Sequence, residues 1–327
     1  MRIPSIPRTH SLLTCLPSEE PGKFAPSHQP SHSPVFVSYD RAMAVSHLPT
    51  PELSLTEKQQ LLEEHLASLG RLLIAYSGGI DSAYLAYVAH RVLGERMLAV
   101  LADSPSLARA QMRDAVAFAE EKTIPLQVIE TAEMERPEYQ RNDAMRCFHC
   151  KDELFTVMDA FAAEQGYANV AYGVNLDDQG DFRPGQKAAQ QHGVVAPLLQ
   201  ARMTKVDLRE LARQAELRVW DKPASACLSS RIEYGRPVTA EALRQIEQGE
   251  DALRAMGFRQ FRVRHHGQIA RIEIAREELA TALTPEMARE FTRTFKALGF
   301  TYVTLDLEGF RSGSMNSLLP IDVLQNR

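Results

Sequence analysis

The chain has 327 residues, with 37 Lys+Arg against 42 Asp+Glu, a formal net charge of −5 and 44% hydrophobic residues. The acidic balance argues against a protein that coats nucleic acid through a basic field. No apolar run approaches the roughly 20 residues of a bilayer span, and four cysteines are too few for a disulfide scaffold. The composition is that of a cytoplasmic enzyme with reduced thiols, and the length suggests about two domains.

Residues 1–51 hold 9 of the 18 prolines and 4 of the 10 histidines, without apolar periodicity. They predict a disordered extension, or a start-site artefact with translation beginning at Met43. Cys15 lies there and receives no role. From residue 53 the pattern is regular. A helix is predicted over 55–69, a strand over 72–76, a helix over 81–93, a strand over 97–102, a helix over 106–122 and a strand over 126–129. A helix over 150–165, a strand over 169–173 and a helix over 205–216 follow. Strands alternating with helices mean βαβ units and a parallel sheet, an α/β domain over 52–230. The grammar then changes: a helix over 240–256, a hairpin of 261–265 and 269–274, a helix over 285–298 and a strand over 302–307. This predicts a small α+β domain over 231–327. No solenoid repeat is present.

The sharpest local motif is Ser77-Gly78-Gly79-Ile80-Asp81-Ser82, between a strand and a helix. Two glycines let backbone approach a ligand closely. Ser77, Ser82 and the N–H groups of the helix start can donate to phosphate oxygens. The loop is neither a Walker A sequence nor a dinucleotide fingerprint. It resembles the S-G-G-x-D-S loop of the PP-loop ATP pyrophosphatases, which hold the β,γ-pyrophosphate while a substrate oxygen attacks the α-phosphorus. Asp81 is the expected partner of Mg²⁺ on the phosphates, because hard cations prefer carboxylate oxygen. Asp103 and Ser104 follow the second strand at the carboxyl edge, where such sheets bind ligands. They are expected on the ribose or adenine side, or else as the cap of the next helix.

Cys147-Phe148-His149-Cys150 is a C-x-x-C, and Cys227 stands alone before Ser229, Ser230 and Arg231. Three readings are open: a zinc site completed by His149 or His265, a redox pair, or a [4Fe–4S] cluster on Cys147, Cys150 and Cys227 with one iron left open. Arg231 beside Cys227 would favour the nucleophilic thiolate.

Arg146-Cys147-Phe148-His149-Cys150-Lys151, Tyr172-Gly173-Val174-Asn175-Leu176-Asp177-Asp178, Asp181-Phe182-Arg183-Pro184-Gly185 and Pro223-Ala224-Ser225-Ala226-Cys227-Leu228-Ser229-Ser230-Arg231 follow the loop in order. In this the chain resembles the LarE family of ATP-dependent sulfur transferases over about residues 53–320. The resemblance implies a step in making the nickel-pincer nucleotide of lactate racemase-type enzymes. In that step ATP adenylylates the carboxylates of pyridinium-3,5-biscarboxylic acid mononucleotide, which then become thiocarboxylates. AMP is a good leaving group where a carboxylate oxygen is a poor one. The resemblance further implies that Cys227 is catalytic, that the three-cysteine type carries an iron–sulfur cluster, and that the chain forms a hexameric homo-oligomer. A nickel-insertion protein and a lactate racemase-type enzyme would act downstream.

The second domain is expected to hold the mononucleotide's phosphate. Arg262 and Arg264 lie two apart on one strand face, suiting a phosphate, and Arg231 is a third candidate. Glu273 could help bind a cation near that phosphate but is expected to be exposed instead, and Glu250 on the preceding helix is a weaker candidate for the same cation role. The rival readings are a tRNA thiolation enzyme, which lacks an evident RNA-binding module here, an NAD or GMP synthetase-type amidotransferase, and a nucleotide-binding scaffold with structural zinc.

Overall fold

Leu72, Leu73 and Ile74 are all fully buried, which a strand achieves only when both faces are covered. They belong to β1 (Leu72–Ala75) in a four-stranded parallel sheet with β2 (Met97–Asp103), β3 (Leu126–Glu130) and β4 (Asn169–Tyr172), in the order β3-β2-β1-β4. The computed structural model describes residues 53–179, 184–223, 226–311 and 315. Residues 1–51, with Cys15, lie outside them, as do Asp181-Phe182-Arg183 and Ala224-Ser225 of the quoted motifs.

The helices of this part are α1 (Leu55–Ser68), α2 (Ile80–Leu93), α3 (Arg109–Glu121), α4 (Pro137–Gln140), α5 (Arg146–Gln165), α6 (Pro184–Gln191), α7 (Pro197–Gln200) and α8 (Lys205–Gln214). Leu72 and Ile74 join one core with Leu62 and Leu66 of α1, Leu85 of α2, Phe118 of α3 and Leu208 of α8. Leu73, Val100 and Val170 join a second core with Phe155 and Met158 of α5 and Ala188 of α6. The sheet is thus sandwiched, and its carboxyl edge is left for the loops.

The remaining elements are α9 (Ala240–Ala255), β5 (Phe261–His266), β6 (Ile269–Ile274), α10 (Leu279–Ala282), α11 (Pro285–Ala297) and β7 (Tyr302–Leu305). β5 and β6 form an antiparallel hairpin that turns at Gly267, φ +69°, and β7 lies parallel to β6. Their core joins Val263, Ile272, Ile246 and Phe295, and it includes Leu228 and Ile232, which follow Cys227. The N–H of Leu228 donates to the Ser106 carbonyl at 2.8 Å, tying the cysteine loop to the edge of the parallel sheet.

The predicted order of elements holds, with boundary differences. α5 begins at Arg146, so the C-x-x-C forms its first turn. α3 begins at Arg109, not at 106, because Ser104 and Ser106 are engaged in side-chain bonds. The short helices α4, α6, α7 and α10 went unpredicted, and β7 stops at Leu305. No helix among the described residues is long and apolar enough to cross a membrane.

Candidate active site

The turn from β1 into α2 is closed by its own serines. Ser82 Oγ accepts from the Ser77 N–H at 3.1 Å, lies 3.1 Å from Ser77 Oγ, and donates to the Gly79 carbonyl at 3.2 Å. Gly78 has φ +69°, and a Cβ there would stand 2.5 Å from Ala115 Cβ, so only glycine fits. Gly79 is the N-cap of α2 and offers no side chain to its N–H groups. At Gly173, after β4, a Cβ would meet the Ser82 nitrogen at 2.7 Å, so a second bare backbone is needed for β4 to approach α2.

This turn opens on a cavity of about 300 Å³, whose lining includes Ser77, Asp81, Ser82, Ser104, Ser106, Glu133, Cys150, Lys151, Gly173 and Cys227. The sequence-predicted Ser77, Asp81, Ser82, Ser104, Cys150 and Cys227 thus meet on one cavity wall, with Gly78 and Gly79 forming the turn. Asp103 is not in that lining. Its carboxylate pairs with Arg109 at 2.6 Å, and the same guanidinium donates to the Ser104 carbonyl at 2.7 Å. Glu133, buried at 1% exposure, accepts from Ser104 Oγ on the cavity wall and was not foreseen from sequence. Nothing in its local sequence distinguishes it, because its burial comes from the fold.

The three cysteines stand in a connected environment. Arg146, the first residue of α5, is buried and donates to Asn142 Oδ1 at 2.5 Å and to the Ser229 carbonyl at 3.0 Å. Asn142 in turn donates to the Glu233 and Arg236 carbonyls, both at 2.9 Å. The start of the C-x-x-C helix is thereby joined to the segment after Cys227. Burial pushes the Cys227 thiol up, but the Arg146 guanidinium, the Ser229 hydroxyl 3.0 Å away and Arg231 outweigh it, so Cys227 is held below its ordinary value. Burial pushes Cys150 well up, and the charges of Cys227, Glu133 and Cys147 add to it. Cys150 thus lies within electrostatic reach of both Cys227 and Cys147. Cys147 sits on the exposed side of its turn. As the side chains stand, no group of three or more His, Cys, Asp or Glu residues among those described is gathered around a metal position. The donor chemistry nevertheless suits iron: three thiols, one of them biased to thiolate by two guanidiniums.

The predicted arginines divide. A second cavity, of about 500 Å³, is lined by Arg113, Lys222, Arg231, Arg254, Arg259 and Arg262, with Asp114 and Glu250. Burial and the neighbouring Arg231 push the Arg262 guanidinium down to about 10. Arg231 Nε meets Glu250 Oε1 at 3.0 Å, with both side chains buried. Arg264 is not in that lining and pairs with Glu273 at 2.8 Å. The expectation of an exposed Glu273 is corrected: it is 0% exposed, held between Arg264 and Arg271. β6 is the central strand of its sheet, and both faces at this position are covered.

The family model described as NAD synthase matches residues 55–154, the segment from α1 into α5. Sheet, loop and match together define an ATP-using enzyme of the PP-loop class. The chain is 41% identical over 265 residues, 81% of its length and 99% of the relative's, to an uncharacterised protein of Synechocystis sp.. It is 35% identical over 267 residues, 81% of its length and 96% of the relative's, to the pyridinium-3,5-bisthiocarboxylic acid mononucleotide synthase of Lactiplantibacillus plantarum. An uncharacterised protein of Methanocaldococcus jannaschii is 28% identical over 242 residues, 74% of this chain and 91% of that one. The chain belongs to the family of that synthase, the LarE family of ATP-dependent sulfur transferases.

Proposed function

We propose that this enzyme adenylylates the carboxylates of pyridinium-3,5-biscarboxylic acid mononucleotide and converts them to thiocarboxylates for the nickel-pincer cofactor. The observation that carries this reading is Cys227 on the wall of the cavity that the phosphate loop opens on. A sulfur donor there is next to the place where an acyl adenylate would form. The carboxylate oxygen attacks the α-phosphorus and pyrophosphate leaves. Sulfur then attacks the carbonyl carbon, and AMP departs with the transferred oxygen.

In this reading Ser77, Gly78, Gly79 and Ser82 bind the pyrophosphate end of ATP, and Asp81 holds Mg²⁺, which would neutralise charge on the leaving pyrophosphate. Ser104 serves the nucleoside side, and Asp103 supports it through Arg109. Cys147, Cys150 and Cys227 would hold a [4Fe–4S] cluster, which would supply an open iron for exogenous sulfide. Arg146 and Arg231 favour the thiolate such a cluster requires. Arg262 and Arg231 bind the mononucleotide's phosphate, while Arg264 acts through Glu273. Residues 52–230 would then serve ATP and residues 231–327 the mononucleotide.

The test is anaerobic incubation with ATP, Mg²⁺, sulfide and the biscarboxylate mononucleotide, followed by mass spectrometry of small molecules and intact protein. Pyrophosphate, AMP and thiocarboxylate are expected. Formation of an amide product with ammonia, or of ADP, would contradict the reading.

A further inference from the structure

Both carboxylate oxygens of Asp81 have partners within the fold. Its Oδ1 accepts from Asn175 Nδ2 at 3.0 Å, and its Oδ2 accepts from the Lys205 ammonium. Lys205 is the first residue of α8, with Thr204 as the N-cap. The N-terminus of a helix carries partial positive charge, so a lysine there sits where the helix dipole disfavours it. Helix starts prefer acidic residues, and this one has Asp207 in its first turn to complete the capping box. The ammonium is therefore held by something outside its own helix, and Asp81 is its ion-pair partner. The backbone is fixed from a second side, because the Lys205 N–H donates to Asp177 Oδ2 at 2.7 Å. Asp177 lies in the same post-β4 segment as Asn175. One short segment thus anchors both the base of the lysine and the other oxygen of Asp81. The Lys205 side chain is about one-third exposed, with 33% of its surface accessible, so the ammonium has solvent to swing into.

We propose that Lys205 is a positioning residue, an internal counter-ion that occupies the Mg²⁺ place on Asp81 and that the metal of Mg·ATP displaces. This rests on the reading above that Asp81 is the metal ligand. In the free enzyme the pair holds the carboxylate in its working orientation and relieves its charge at the mouth of a site built for anions. With nucleotide bound, Asp81 would hold the Mg²⁺ and Lys205 would be released from it.

Equilibrium dialysis of the full chain with radiolabelled ATP tests this, in excess Mg²⁺ and in excess chelator. The quantity read is the ratio of the two affinities. Lys205→Met is expected to raise that ratio about two- to fivefold, the scale of losing a partly exposed competing ion pair. Lys205→Arg, which keeps the charge, is expected to stay near wild type. In an Asp81→Asn background the ratio should collapse, and Lys205→Met should no longer change it. A thermal melt run alongside separates misfolding from these shifts. If wild type binds ATP with no dependence on Mg²⁺, the metal role of Asp81 fails and this inference fails with it. If wild type depends on Mg²⁺ and Lys205→Met leaves or lowers the ratio, Lys205 is a structural ion pair and only the counter-ion proposal is overturned.

Discussion

At the scale of single residues, chemistry was legible where a residue type and its spacing belong to one reaction. The Ser77–Ser82 loop, Cys150 and Cys227, all singled out by residue type and spacing, line the same cavity. Glu273 was misread for a physical reason. Alternation with Ile272 and Ile274 shows that it faces away from their core, but not that a second layer covers that face. Its burial between Arg264 and Arg271 makes it a strong test. Glu273→Ala removes the buried carboxylate that pairs with both Arg264 and Arg271 and is expected to cost about 3–5 kcal/mol, read as a fall in Tm. Arg262→Ala removes a cation from the basic cavity. It is expected to weaken mononucleotide binding by about 1.5–3 kcal/mol, a ten- to hundredfold rise in Kd by calorimetry, with the fold intact. Normal binding by that variant would move the phosphate site elsewhere.

At the scale of elements, the long helices and the strands could be read from periodicity, and α6 could not. Its sequence, PGQKAAQQ, has no apolar stripe, and it is helical because it packs on α5. A Cβ at Gly185 would stand 2.6 Å from Lys151 Cδ and 3.2 Å from the Cys147 carbonyl, so α6 sits directly against the C-x-x-C turn. The residue after α6 clamps it there. His192 Nδ1 lies 2.6 Å from Asp159 and Nε2 lies 3.2 Å from Asp152, both on α5, and Arg136 also pairs with Asp152. Burial pushes His192 down, but the two carboxylates outweigh it and hold its pKa above the ordinary value. A raised histidine contributes stability that is complete below its ordinary pKa, about 6.5, and lost as pH rises through the folded value. Asp152 is pushed up by burial and drawn lower by Arg136 and His192, so its contribution is lost only in acid. The Tm difference between wild type and His192→Asn should therefore be largest below the ordinary histidine pKa of about 6.5 and shrink as pH rises beyond it. A difference that grows with pH would contradict the clamp.

At the scale of the whole molecule, the parallel sheet brings the phosphate loop, and the segment after it brings sulfur. Asn142 and Arg146 bind the start of α5 to the backbone after Cys227, while Leu228 and Ile232 root that backbone in the core of the second sheet. That long-range meeting has no signature in the sequence beyond the residue types themselves, because it depends on loops closing across about 80 residues of chain. It also divides the labour of the reaction. Activation of a carboxylate uses the loop and Asp81, whereas sulfur delivery uses Cys227. The most direct measurement is a paired assay on Cys227→Ala with ATP, Mg²⁺, sulfide and the biscarboxylate mononucleotide, reading pyrophosphate release and thiocarboxylate formation in the same sample. Retained pyrophosphate release with no thiocarboxylate is the expected result. Thiocarboxylate formed at the wild-type rate would show that Cys227 is structural and that the sulfur reaches the adenylate by another route.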